Sequence, residues 1–258
     1  MTINFNLHGD LNKPLLVFLH GGGVSSWMWD EQVRYFNTYT CLVPDLPGHG
    51  KSNNGYHFSI QDTASEILTI IEKHRTDQQV TVIGFSLGAQ VLLSMLSEDT
   101  NLIDQAVIIS ASTKSLPFPR IAAKTATWML PLARNKMFSR MQAKYMYLND
   151  RYFNDYYQET KSMTKETFYK VMYENISFSL PKGFKTAHSR MLVMIGKKEN
   201  SIIKRSLADI LENNEKCSGI VIPGVGHGIP LHSPKYFNQL LKNWIENEKT
   251  PNDVMRIS

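Results

Sequence analysis

The stretch Gly84-Phe85-Ser86-Leu87-Gly88 constrains this chain more than any other. It follows the β-branched run Val80-Thr81-Val82-Ile83 and precedes an apolar segment from Ala89 to Leu96. The pattern predicts a strand, a sharp turn and a helix, with a serine at the apex. So tight a turn requires small residues two positions either side of the serine, because side chains there collide with neighbouring backbone. The strain lifts the serine Oγ out of the sheet, and the N-terminus of the following helix offers unpaired N–H groups to a developing oxyanion. Standing alone, the pentapeptide fits an ordinary Gly-Ser turn as well.

Two further segments fit the same chemistry. Pro14-Leu15-Leu16-Val17-Phe18-Leu19 is a continuous apolar run, the mark of a buried parallel strand, and it ends in His20-Gly21-Gly22-Gly23. Glycines after a strand let backbone amides approach a ligand closely, which is how a second oxyanion donor is built. Downstream, His227 lies in the Gly-rich loop Gly224-Val225-Gly226-His227-Gly228, after the apolar Gly219-Ile220-Val221-Ile222. A histidine so placed can swing onto a nucleophile.

A serine and a histidine still need an acid to fix the imidazole tautomer. Many carboxylates lie between Ser86 and His227, and position relative to the strands thins them, since catalytic groups of open α/β sheets sit at the C-terminal ends of strands. The strand 105–109 ends in Ser110-Ala111-Ser112-Thr113, without a carboxylate. The strand Met191-Leu192-Val193-Met194-Ile195 ends in Gly196-Lys197-Lys198-Glu199, so Glu199 is the candidate that follows a predicted strand closely. The alternative for it is a solvated glutamate beside two lysines.

The order Ser86, Glu199, His227 is the chain order of the α/β-hydrolase fold. With His20-Gly21-Gly22-Gly23 followed by Trp27 and Trp29, Asp45-Leu46-Pro47-Gly48-His49-Gly50-Lys51-Ser52, the turn at Ser86, and Gly226-His227 before Pro230 and Pro234, the chain resembles the α/β-hydrolase superfamily. It is most similar to the small, capped, esterase-like branch, over residues 14 to 245. The resemblance implies a mostly parallel central sheet of about seven strands flanked by helices, with a helical cap inserted over the active site. It also implies oxyanion donors at the backbone N–H groups of Gly22 and Leu87. The first role can pass to Gly23; the second is fixed by its place after the nucleophile. Relatives more often carry Asp at the acid position, where this chain has Glu199. His20 and His49 look like the family's loop-bracing histidines, and Asp45, in a Pro-Gly turn, is expected to bind local backbone.

The coarse element order predicts an α/β core over residues 1–113 and 188–258, interrupted by a helical segment over 114–187 that the resemblance implies is the cap of a hydrolase core. The cap segment shows no β run and holds half of the chain's 12 methionines. Met-rich walls adapt to flexible acyl or aromatic groups, so a small to medium, mainly apolar substrate is expected. The last residues, from Lys249, are expected to fray.

Composition excludes several other classes. Only Cys41 and Cys217 are present, so there is no disulfide framework. The remaining histidines form no zinc-ligand spacing, no dinucleotide fingerprint or P-loop appears, and no cofactor or metal is implied. The net charge of +5 is diffuse rather than a dense stripe, which argues against nucleic acid. No leader pattern opens the sequence and no apolar run reaches transmembrane length, so a cytoplasmic protein without a membrane or nucleic-acid partner is expected. The reaction expected is carboxylic ester hydrolysis through an acyl-enzyme. The same triad also serves carbon–carbon bond hydrolases, thioesterases and cofactor-free perhydrolases or haloperoxidases, and a more distant alternative is a ligand-binding signalling protein with slow turnover.

Overall fold

Every residue of Leu15–Leu19 is buried, and its alternating side chains feed two separate cores. Leu15, Val17 and Leu19 point to one face of the sheet, Leu16 and Phe18 to the other. This is how a continuous apolar run becomes a central strand covered on both sides.

The computed structural model describes residues 3–53, 58–98, 101–247, 250 and 254–257. Its strands are β1 (Phe5–His8), β2 (Leu15–Leu19), β3 (Thr40–Pro44), β4 (Val80–Phe85), β5 (Gln105–Ile109), β6 (Arg190–Gly196), β7 (Cys217–Ile222) and β8 (Met255–Ile257). They form one sheet in the order β1-β3-β2-β4-β5-β6-β7-β8. Only the edge pairs, β1 with β3 and β7 with β8, are antiparallel. The fold class is the expected one, with one strand more. The additional strand is β8, where fraying was expected: Met255 pairs with Val221 and Ile257 with Gly219. Val254, just before it, is buried in the core. Lys249, residues 251–253 and Ser258 lie outside the described residues.

Helices cover both faces. On one side lie α1 (Asp30–Tyr35) and, at the chain's end, a long amphipathic helix whose buried residues Phe237, Leu241 and Trp244 meet Trp29 and Phe18. On the other side α2 (Ile60–His74) and α3 (Leu87–Glu98) pack Ile67, Ile71, Leu92 and Met95 against the sheet. α2 starts where the Ser59 hydroxyl accepts the Asp62 N–H at 3.2 Å, an N-cap.

Between β5 and β6 the chain makes a purely helical excursion: α4 (Pro119–Trp128), α5 (Leu130–Ala133), α6 (Lys136–Tyr145), α7 (Phe153–Ser162) and α8 (Lys165–Ser177). Glu159 on α7 ties this excursion to the sheet, accepting hydrogen bonds from Ser25 Oγ at 2.6 Å and Trp27 Nε1 at 3.1 Å. The chain then returns through β6, α9 (Ser201–Asn213), β7, α10 (Ile229–His232) and α11 (Pro234–Asn247). Among the described residues no helix is long and apolar enough to cross a membrane.

Candidate active site

Ser86 occupies the turn between β4 and α3 with φ of 53°, in the left-handed region that side chains with a Cβ rarely adopt. The glycines make that turn possible. A Cβ on Gly84 would lie 2.5 Å from the Gly88 carbonyl oxygen, and one on Gly88 would lie 2.3 Å from that of Leu19. The Ser86 N–H donates to the Ile109 carbonyl at 2.8 Å, pinning the turn to the end of β5. The hydroxyl thus stands at the C-terminal edge of the sheet's middle, where open α/β folds bind ligands.

His227 approaches from the loop after β7, and its Nε2 is 2.9 Å from Ser86 Oγ. Its Nδ1 faces the Glu199 carboxylate, at 3.1 Å from Oε1 and 3.3 Å from Oε2. Backbone bonds between the two loops set this meeting: Lys197 N–H donates to Ile222 O and Lys198 N–H to Val225 O, each at 2.9 Å. A Cβ on Gly196 would lie 2.4 Å from the Gly226 oxygen, so the loops close only around a glycine. The Glu199 side chain is 3% exposed, and the Phe85 ring packs 5.2 Å from the imidazole. A buried carboxylate at Nδ1 holds the proton there and leaves Nε2 free to accept one from a hydroxyl.

Gly22, Gly23, Ser86 and Leu87 line one cavity of about 430 Å³, whose remaining walls come from the helical excursion, among them Met129, Phe138 and Met172. As the first residue of α3, Leu87 has an N–H with no acceptor in its own helix. A second cavity, of about 250 Å³, is bordered by Ser86 and His227 and lined by Ser110, Ser112, Asn175 and Asn200 together with the apolar Leu116, Ile176, Ile202 and Ile203. Both cavities reach Ser86, and Asn175 borders both. A larger groove of about 600 Å³, around Lys182 and Asp209, contains none of these three residues.

Three polar residues in this region escaped the sequence reading. Gln90, fully buried in α3, donates to the carbonyls of Ser112 and Asn175 at 2.9 Å each and accepts from Asn175 Nδ2 at 3.0 Å. It fastens α8 beside α3, and its only sequence signal is a polar side chain inside an apolar helical run. Ser110, at φ 53° directly after β5, has a buried hydroxyl with no hydrogen-bond partner among the described residues. No local pattern distinguishes it from other serines.

The remaining candidates brace loops. His20 Nε2 accepts the Leu46 N–H at 2.8 Å, which puts its proton on Nδ1, 2.8 Å from the Gly21 carbonyl. Burial lowers its pKa, and burial together with His20 pushes that of His49 down to about 3, so both rings stay neutral. Asp45 accepts the N–H groups of Ser26 and Lys51 at 2.8 and 2.9 Å, far from any role at His227.

The family model described as "Alpha/beta hydrolase family" matches residues 16–240, and the chain belongs to that family. It is an enzyme of this class. An AB hydrolase superfamily protein of Gibberella zeae is 23% identical, with 97% of this chain and 86% of the relative covered. Ethanol acetyltransferase 1 of Wickerhamomyces ciferrii is 31% identical over 119 residues, which cover 45% of this chain and 30% of the relative. This chain thus spans about a third of the length of the acetyltransferases it matches. Among solved structures, an esterase from Exiguobacterium antarcticum superposes with a TM-score of 0.80 at 17% identity, covering 95% of this chain and 96% of the other. MenH from S. aureus gives 0.76 at 20% identity, covering 96% and 99%. These structural likenesses are likenesses of fold.

Proposed function

We propose that the protein is a serine hydrolase that cleaves carboxylic esters through a Ser86–His227–Glu199 triad and an acyl-enzyme. The observation that carries this reading is the relay of contacts from Ser86 Oγ to His227 Nε2 at 2.9 Å and from His227 Nδ1 to a buried Glu199. His227 takes the Ser86 proton as Oγ attacks the ester carbonyl, and Glu199 holds the resulting imidazolium in place. The tetrahedral oxyanion is met by the N–H groups of Leu87 and Gly22, a donor typically being worth about 3 kcal/mol of barrier. The intermediate collapses, the alcohol leaves with the proton from His227, and water activated by His227 releases the acid.

The larger, apolar cavity supports an acyl chain of small to medium size, and the second, mixed cavity an alcohol portion able to hydrogen-bond Asn175. A fluorophosphonate probe, followed by peptide mass spectrometry, tests the nucleophile: the adduct is expected on Ser86 and absent from Ser86→Ala. Labelling elsewhere, or none, would overturn the mechanism. A panel of p-nitrophenyl esters then reads the acyl length.

A second reading is favoured by the match to an ethanol acetyltransferase: in this chain the acyl-enzyme would then be resolved by an alcohol in place of water. Adding a short alcohol to the ester assay discriminates them. Transfer predominating over hydrolysis supports the transferase; unchanged acid release supports the hydrolase.

A further inference from the structure

The outer surface of the helical excursion is oddly apolar. Trp128 and Met137 are each 82% exposed, Tyr145 78% and Met141 60%, with Ile121 and Phe118 also exposed. Single exposed apolar residues are unremarkable, but most of these lie at helical spacing on α4 and α6, the two helices that flank the short α5. Met137, Met141 and Tyr145 recur every four residues, so they form one stripe along α6. Ile121 and Trp128, seven apart, fall on one face of α4. The opposite sides of these helices are already occupied: Ala123, Ser139 and Ala143 are buried in the molecule.

Charge accompanies the apolar stripe. From Leu116 to Asn149 the sequence carries Arg120, Lys124, Arg134, Lys136, Arg140 and Lys144 and no acidic residue. Arg134 is turned inward, donating to the Met163 carbonyl at 2.6 Å, and Arg140 stacks on the Phe153 ring and pairs with Asp150 at 3.6 Å. Arg120, Lys124, Lys136 and Lys144 are exposed among the apolar side chains. Lys136, Arg140 and Lys144 run beside Met137, Met141 and Tyr145, one residue earlier in each turn.

We infer that this face docks on an anionic lipid surface. An apolar stripe flanked by lysines, with a tryptophan and a tyrosine among them, is the pattern by which helices lie in a membrane interface without crossing it. The charge selects the partner. A second copy of the chain would bring like charges together across the contact, whereas anionic head groups complement them, each cation contributing roughly five-fold in partition. The face also leads to the site. Met129, between α4 and α5, is 56% exposed and lines the apolar cavity as well, as do Leu130 and Phe138 beneath it. An amphiphilic ester leaving the lipid surface meets an apolar path to Ser86. Surface docking is compatible with the lack of a membrane-crossing helix among the described residues.

The test uses the full chain and vesicles of phosphatidylcholine alone or with about 30 mol% phosphatidylglycerol. Cosedimentation is expected with the anionic vesicles only, with loss in about 0.5 M salt. Tryptophan emission should shift to the blue on binding, because Trp29 and Trp244 are buried while Trp128 faces the lipid. The triple variant Trp128→Ser, Met137→Ser, Met141→Ser should bind at least ten-fold more weakly while hydrolysing a soluble short-chain ester at the parental rate. Lys124→Glu with Lys136→Glu and Lys144→Glu should abolish the anionic preference, and this set leaves every apolar contact of the fold in place. Ser86→Ala should bind vesicles normally, which separates this inference from the proposed chemistry. Absent or charge-independent vesicle binding would overturn it. So would light scattering that shows a wild-type dimer made monomeric by the serine substitutions, assigning the face to self-association.

Discussion

Gly88 presses its Cα against the backbone of Leu19, so that a side-chain carbon on the glycine would sit 2.3 Å from the Leu19 carbonyl oxygen. This contact joins α3, the helix that follows Ser86, to β2, the strand that leads into Gly21-Gly22-Gly23. It fixes the distance between the N–H groups of Gly22 and Leu87, the donors of the proposed mechanism. Gly88→Ala is expected to cost at least about 2 kcal/mol, as overpacking against backbone cannot be relieved by a rotamer change. Gly22→Ala is the contrast: its nearest neighbour would be Leu87 Cδ2 at 3.7 Å, and the fold should keep its stability. Urea unfolding of the two variants checks both.

Ser86 pays for its position with a left-handed backbone. Replacing it by glycine should raise stability by about 1 kcal/mol while lowering kcat roughly ten-thousand-fold or more. Thermal melts and ester turnover on one preparation measure the two effects together. Loss of activity without a gain in stability would mean the strain is not stored at this residue.

Glu199→Gln keeps the shape of the acid but removes its charge. The amide can present its NH2 to His227 Nδ1, which favours the wrong tautomer. A fall in kcat of about 10^4-fold is expected, with KM little changed. Stopped assays with a saturating ester decide it.

Burial pushes the Glu159 carboxyl up to about 7 from an ordinary 4.5, against the opposing hydrogen bonds from Ser25 and Trp27. Asp45 and Asp155 add to the upward push. The folded protein therefore holds this proton more tightly than the unfolded chain. Its contribution is complete below about pH 4.5 and is lost as the pH rises through 7. Glu159→Gln should flatten that part of the stability profile and raise Tm at pH 8 by about 2–4 °C, the equivalent of ~1 kcal/mol. Scanning calorimetry from pH 4.5 to 8 provides the comparison.

Gln90→Leu fills a similar volume but leaves the carbonyls of Ser112 and Asn175 without their donor. With the Asn175 amide also losing its acceptor, a cost of about 3 kcal/mol follows from three groups left without this partner. Because Asn175 borders both cavities, KM should rise as well. A drop in stability with unchanged KM would confine Gln90 to a packing role.

The sequence by itself determined the architecture around the strand–turn–helix at Ser86. Its information is local: glycines two residues either side of a serine, a continuous apolar run at Leu15–Leu19, a β-to-α switch that recurs along the chain. Local sterics and hydrophobic period fix such features before any long-range contact forms. Glu199 and His227 were legible because each follows a strand closely, and parallel strands bring such loops to one edge. Tertiary structure decided the rest. Strand β8 exists because Val221 and Gly219 offer it an edge, which the short segment Met255–Ile257 does not announce. Gln90 of α3 meets Asn175 of α8, Asn175 and Ser110 line one cavity from α8 and the end of β5, and only packing sets these neighbours. The same holds for the lysines and methionines of α4 and α6. Their composition is plain in the chain, but which side of each helix meets solvent depends on what the other side buries.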